Sequence, residues 1–574
     1  MNRTIQAATA TDEQRATVAL DDESVAAAVV LPSLRATAAA IGLGPDDLVP
    51  FGHDKAKVPL AVLERPRHSA RPARLVLVSA VTPTPAGEGK TTTTIGLGQA
   101  LGRLGQRVVL ALREPSLGPV MGSKGGATGG GWSQIFPAAS INLHFTGDFH
   151  AITAANNLLA AAIDNHVHQG NELRIDTRRV LWRRVLDVND RALRQVLVGL
   201  GGPSQGVPRE AGFDITAASE IMAILCLSRD LDDLRARLDR IVIAVDVAGK
   251  LVKAEALGIT GALLALLLDA LQPNLVQTIE GQPVLVHGGP FANIAHGCNS
   301  VLATRMALHL GDIVLTEAGF AFDLGAEKFF DIKARAAGLP VHAVVLVATV
   351  RALKMHGGVA KSALGAPDVD AVRRGLANLD AHLDSAARFG VPVVVAINRF
   401  TADRDEEVAA IVAHCEARGV QAAPSEHFAR GGAGGEAVAR ALLAVLETST
   451  GAFEPAYELD QPVLAKIEQV AKRVYGADGI KLSATARKDI AEIEGLGYGG
   501  LPICVAKTQN SLSDDPKLRN RPTGFDIHVE RVLLNAGAGF LVVVTGEIMR
   551  MPGLSKVPAA TRIDVVDGQI VGVG

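Results

Sequence analysis

The chain has 574 residues, 48% hydrophobic and 20% charged, with a formal net charge of −3, a length that one core does not organise and that implies about two to four domains. So balanced a charge excludes a disordered polyelectrolyte and makes nucleic acid an unexpected partner. The longest apolar run, residues 263–271, is short and broken by Asp269, so no membrane partner is expected, and an N-terminus without a secretory pattern, with Cys226, Cys298, Cys415 and Cys504 in no C-x-x-C pair, points to a reducing cytoplasm.

Residues 1–24, rich in Thr, Ala, Asp and Glu and without a period, read as a mobile extension. The first strong strand is the apolar run at 75–81. It feeds Thr84-Pro85-Ala86-Gly87-Glu88-Gly89-Lys90-Thr91, and a helical stretch follows to Leu104. A buried strand, a glycine-rich turn and a helix N-terminus gather backbone N–H groups and the positive end of the helix dipole at one spot, which is a phosphate-binding loop. Lys90 would reach the terminal phosphates of a nucleotide and the Thr91 hydroxyl would help hold Mg²⁺. The usual pattern opens on Gly, where this chain has Thr84.

The next strand, 108–112, ends at Arg113-Glu114. A right-handed βαβ unit puts Arg113 on the sheet edge of Lys90, where a guanidinium can bind a carboxylate or phosphate through two parallel bonds; pairing with Glu114 is the local alternative. The glycine-rich segment 116–131 fits no regular element and serves as an anion cradle or a hinge. Residues 141–150 read as strand-like, with Thr146, Asp148 and His150 on one face as a proton-handling or cation-binding group. From about 138 to 240 the texture turns helical, chiefly at 151–166 and 216–227. The run 241–246 ends in Asp246 like a Mg²⁺-binding strand, yet Asp246-Val247-Ala248-Gly249-Lys250 reads better as a hairpin turn.

Further runs at 284–286, 313–315, 344–347 and 391–397 each end in a polar or glycine-rich tail. Strands alternating with helices imply a parallel sheet whose tails line one cleft. His287, His296 and Cys298 are zinc-ligand types without the spacing of a zinc site. Glu327-Lys328 reads as a helix-start pair, with a pair at the cleft as the alternative. Phe400 and Phe428 follow strands in an aromatic-poor chain and offer two faces for a flat heterocycle, with core packing as the alternative; the glycines at 431–435 suit a close approach to a ligand.

Together these segments resemble formate-tetrahydrofolate ligase, from about residue 25 to the C-terminus. The likeness rests on residues 82–91, Arg113-Glu114-Pro115-Ser116-Leu117-Gly118-Pro119, Phe145-Thr146-Gly147-Asp148, 287–300, 348–354, Ala506-Lys507-Thr508-Gln509 and Met551-Pro552-Gly553-Leu554, and Thr at position 84 is usual in that family. The resemblance implies an α/β fold: a P-loop nucleotide-binding parallel-sheet domain (25–137 and 249–392), a mostly helical insertion (138–248) and a third α/β domain (393–574) contributing to folate binding. It implies ATP-dependent ligation of formate to tetrahydrofolate through formyl phosphate in a homotetramer, with Mg-ATP and an activating monovalent cation, K⁺ or ammonium. It also implies roles for residues: Lys90, Arg113 and Asp148 in catalysis, 84–91 for ATP, Phe400 and Phe428 stacking on folate, with Phe428 where the family often has Trp, and Glu114 in the cation response. Another P-loop carboxylate ligase or phosphotransferase shares the Lys90 and Arg113 logic, and a nucleotide-binding scaffold without turnover is the non-enzymatic alternative.

Overall fold

The computed structural model describes residues 22–67, 69–85, 87–122, 126–546 and 548–573. The expected extension at 1–21, Ala86 of the phosphate loop and residues 123–125 of the glycine-rich segment lie outside the described residues. Residues 22–24 open a helix, Asp22–Ala27, anchored where Gly131 N donates to Asp22 Oδ1 at 2.7 Å.

The β-branched runs form one 12-stranded sheet. Its strands are β1 (Val49–Pro50), β2 (Ala56–Lys57), β3 (Arg74–Ala80), β4 (Val108–Leu112), β5 (Gly129–Gly130), β6 (Ser133–Phe136), β7 (Asn274–Thr278), β8 (Pro283–Val286), β9 (Ile313–Glu317), β10 (Ala343–Ala348), β11 (Val393–Asn398) and β12 (Gln421–Ser425). The order is β1-β2-β7-β8-β4-β9-β3-β10-β11-β12, with β6 on β7 and β5 on β6. From β8 to β12 every pairing along this path is parallel, whereas β7 runs antiparallel to both β8 and β2. β4 and β10 are buried along their whole length, because a parallel sheet covered on both faces demands continuous apolar runs. Along β3, Leu75 and Leu77 enter one core while Val76 and Val78 enter the opposite one, as side-chain alternation requires.

Helix α1 (Lys90–Arg103) follows β3. It lies close on the sheet because a Cβ on Gly98 would stand 2.6 Å from Leu110 Cδ1. The glycines at 431–435 serve the same purpose: their turn packs on α1, and a Cβ on Gly432 would stand 2.8 Å from the Gln99 carbonyl carbon. Close helix packing, rather than approach to a ligand, accounts for them.

The segment 138–248 contains α2 (Asp148–His168) and the helices Glu220–Leu227 and Leu231–Asp239. It is less uniformly helical than its texture implies, since the charged stretch Ile175–Val180 pairs with Val242–Asp246, and Leu251–Lys253 completes a three-stranded sheet. The turn after Asp246 is the expected hairpin, closed by Asp246 N on Lys250 O at 2.8 Å. The central sheet runs on through β11 and β12, past residue 392, and beyond it lie smaller sheets, among them Ile503–Ala506 beside Phe540–Val544 and Arg531–Asn535. Among the described residues no helix is long and apolar enough to cross a membrane. The four cysteines are buried free thiols.

Glu327 and Lys328 do not start a helix. They sit inside a continuous helical stretch at 322–337 with widened π-type turns, and both are fully buried. Lys328 Nζ donates to Ala292 O at 2.6 Å. Burial, then the neighbouring Asp331, pushes the Glu327 carboxyl well above the usual range.

Glu220 ties the inserted segment to the C-terminal one: its Oε1 accepts from Gly537 N at 2.8 Å and Ala538 N at 3.1 Å. Burial pushes its carboxyl from 4.5 up to about 7. A folded-state pKa above the unfolded one means that the native state holds the proton more tightly, so this group lowers stability progressively as pH rises from 4.5 to about 7. Glu220→Gln keeps the accepting oxygen and removes the titration. The variant is expected to melt higher than the wild type above pH 7, with the difference gone below pH 4.5; a constant offset across a calorimetric pH series would contradict the assignment.

Candidate active site

The carboxyl ends of β3, β4, β9, β10 and β11 share one edge of the sheet, where open parallel sheets present their sites. After β3 the chain turns through Gly87 and Gly89, with φ of 78° and 73°, a left-handed conformation that glycine adopts without strain. Gly89 is doubly required, since a Cβ there would stand 2.4 Å from Asn398 Nδ2. Glu88 braces the loop. Thr84 N donates to its Oε1 at 2.6 Å, the Thr349 hydroxyl donates to its Oε2, and Asn398 Nδ2 donates to its backbone oxygen at 3.0 Å. Arg351 donates to Gly87 O at 2.5 Å, with its guanidinium 4.1 Å from the centre of the Phe400 ring. Residues after β10 and β11 thus hold the loop in place at the start of α1, where first-turn N–H groups lack partners within the helix.

Arg113 leaves the end of β4. Its ion partner is not Glu114 but Glu317, the last residue of β9, at 3.5 Å between Nη2 and Oε1. The other oxygen of Glu317 accepts from the Thr91 hydroxyl at 2.8 Å. Glu317 is buried, and its two oxygens join Thr91, in the first turn of α1, to Arg113. A Cβ on Gly319 would stand 3.0 Å from Arg113 Nη1, so glycine there lets the guanidinium lie along the chain just beyond Glu317. Sequence reasoning placed Glu317 in a strand tail lining the cleft but gave it no role of its own. The signal was an acid closing an apolar run, a feature that Asp246 also carried superficially.

Glu114 turns the other way, into a buried polar group. Its Oε2 has no hydrogen-bond partner among the described residues. Burial, followed by repulsion from Asp148, pushes its carboxyl well above the usual range. Asp148 is held on both oxygens, by Lys57 Nζ at 2.7 Å and Asn274 Nδ2 at 2.7 Å, and Lys57 also meets Asn274 Oδ1 at 3.0 Å.

The stretch 141–150 is not a strand. A short helix, Ala138–Asn142, is followed by a turn with Phe145 and Gly147 at φ 44° and 93°, and Asp148 then opens α2. Thr146 still meets Asp148 indirectly, through Asn274, whereas His150 points elsewhere and pairs with His144. The glycine-rich segment is not wholly irregular either, since Leu117–Met121 makes a turn of helix and Gly129–Gly130 pairs with β6.

His287 is engaged at both nitrogens, by Ser300 Oγ and Ala270 O at 2.6 Å each, and burial lowers its pKa to about 4. The Cys298 thiol donates to His296 O. Phe428 is 42% exposed and rests on a glycine shelf: Trp132 N donates to its carbonyl at 2.8 Å, and a Cβ on Gly131 would stand 2.2 Å from that oxygen.

The strand edge thus carries a glycine turn ahead of Lys90 and Thr91, the Arg113 guanidinium two strands over, and Glu317 connecting Thr91 to Arg113 from the strand between. The family model for formate–tetrahydrofolate ligase matches residues 20–574, nearly the whole chain and every segment of this edge. The chain belongs to the formate–tetrahydrofolate ligase family of ATP-dependent ligases.

Proposed function

We propose that the chain forms 10-formyltetrahydrofolate, ADP and phosphate from formate, ATP and tetrahydrofolate through formyl phosphate. A formate oxygen attacks the γ-phosphorus and the bond to ADP breaks. The N10 amine then attacks the formyl carbon, a C–N bond forms, phosphate departs with the electrons of the C–O bond, and the amine loses its proton. Formate needs this activation because its own oxygen is a poor leaving group; the protein's part is positioning and charge neutralisation.

The observation that carries this reading is the link from Thr91 through Glu317 to Arg113, which supports a carboxylate-binding role for Arg113 next to a phosphate-binding role for residues 84–91. Residues 84–91 would cradle ATP, Lys90 would bridge the transferring phosphoryl group, and Arg113 would clamp formate and then formyl phosphate. The oxygens of Thr91 and Glu317 suit Mg²⁺, a hard cation that takes oxygen ligands; bound there with ATP it would neutralise phosphate charge. The unpartnered, buried Glu114 Oε2 suits a monovalent cation, K⁺ or ammonium, which would favour the ionised carboxylate. Asp148 would serve by fixing Lys57, whose charge Glu114 senses.

Phe400 and Phe428 are the proposed folate platform. One face of Phe400 is already under Arg351, leaving the other for a pteridine ring. Phe428→Ala is expected to raise the KM for tetrahydrofolate about 5- to 150-fold, given roughly 1–3 kcal/mol for stacking a base on an aromatic ring, with the KM for ATP unchanged. Unaltered folate saturation would remove Phe428 from the platform. The reading as a whole is tested by following 10-formyltetrahydrofolate by absorbance while ATP, Mg²⁺, formate and tetrahydrofolate are omitted in turn. Product should require every component; ATP turnover driven by a different acid would point to another carboxylate ligase.

A further inference from the structure

Arg113 is already engaged where formate would bind. Glu317 Oε1 lies 3.5 Å from its Nη2, and the Glu317 carboxylate is buried, so water screens the attraction little. A second anion arriving at that guanidinium meets the charge of Glu317. The orientation of Glu317 is not set by Arg113 alone, because Thr91 Oγ1 donates to its other oxygen at 2.8 Å. Thr91 follows Lys90 in the first turn of α1 and belongs to the surface that ATP phosphates occupy. Gly319 leaves room for the guanidinium beside Glu317, since a Cβ there would stand 3.0 Å from Nη1.

We propose that Glu317 is a positioning residue that couples the nucleotide site to the carboxylate site: its carboxylate restrains Arg113 in the empty chain, and Thr91 and Glu317, turning their oxygens toward the Mg²⁺ that accompanies the nucleotide, would release Arg113 to formate. The proposal rests on the assignment of formate to Arg113. Formate then binds weakly before ATP and more tightly after it, and by linkage formate tightens the nucleotide to the same degree. Such an order suits the chemistry, because the carboxylate is captured when a phosphoryl donor is present.

The test is binding without turnover. [13C]formate is titrated into the whole chain by NMR, with and without Mg²⁺ and the β,γ-imido analogue of ATP, in the wild type and in Glu317→Gln, which keeps size and loses the charge. In the wild type the analogue is expected to tighten formate about tenfold, within the 5- to 150-fold range usual for coupled sites. In Glu317→Gln formate is expected to bind the empty chain nearly as well as the wild type binds it with the analogue present, and the coupling is expected to vanish. Thr91→Val keeps the charge and should show weak formate binding with reduced coupling. A wild type whose formate affinity ignores the analogue, or a Glu317→Gln chain that keeps full coupling, would overturn the proposal while leaving formate at Arg113. Formate that binds under no condition, or equally well to Arg113→Ala, would overturn both readings.

Discussion

Lys90→Ala is expected to lower the ligation rate about a thousandfold, the scale seen when one donor to a developing charge is removed from a preorganised site. Lys90 is the first residue of α1 and its backbone oxygen accepts from the Thr94 hydroxyl at 2.9 Å, a bond that alanine preserves. Alanine is also the better helix former, so the melting profile should stay at the wild-type position. The loss should fall on kcat, with the KM for tetrahydrofolate unchanged, because the role proposed for the ammonium is at the phosphoryl group and not at the pteridine. A variant turning over within a few fold of the wild type would take Lys90 out of the chemistry.

Asp148→Asn is expected to fail for a different reason. Lys57 and Asp148 are both buried and lie 2.7 Å apart, and breaking one half of such a pair leaves an uncompensated charge, at a cost of about 3–5 kcal/mol. The expected result is a large drop in melting temperature, read by calorimetry, together with an altered response to K⁺ or ammonium, because Glu114 senses both Asp148 and Lys57. The double variant Lys57→Met/Asp148→Leu removes both charges and should recover much of the stability. A single variant that melts like the wild type but is inactive would make Asp148 a direct participant in catalysis, as the family resemblance implies.

The strands were legible because they are buried on both faces and leave uninterrupted β-branched runs, and the glycine turn from β3 into α1 was legible because its residues are contiguous. Arg113 was legible from handedness alone. What a linear reading did not supply was the identity of partners. Glu317 lies 226 residues from Thr91 in the chain, and its role depends on β9 lying between β3 and β4, a strand order that local pattern does not encode. The same holds for Lys57, whose partner Asp148 is 91 residues away. Asp148 was mistaken for a strand residue because Phe145 and Gly147 take positive φ, breaking a stretch whose residue types alternate. Glu327 and Lys328 looked like a solvated helix start, since charged pairs are seldom buried in mid-helix.

The strand order bears on how the protein is made. β3 and β4 flank β9 and do not pair with each other, so a growing chain that has emitted the phosphate loop carries two apolar strands with a gap between them. At translation rates of about 5–20 residues per second the gap stays open for ten seconds or more before β9 emerges. Throughout that interval the facing edges of β3 and β4 lack the strand that pairs with both in the folded chain, and unpaired edges of this kind are where a chain associates wrongly with its neighbours.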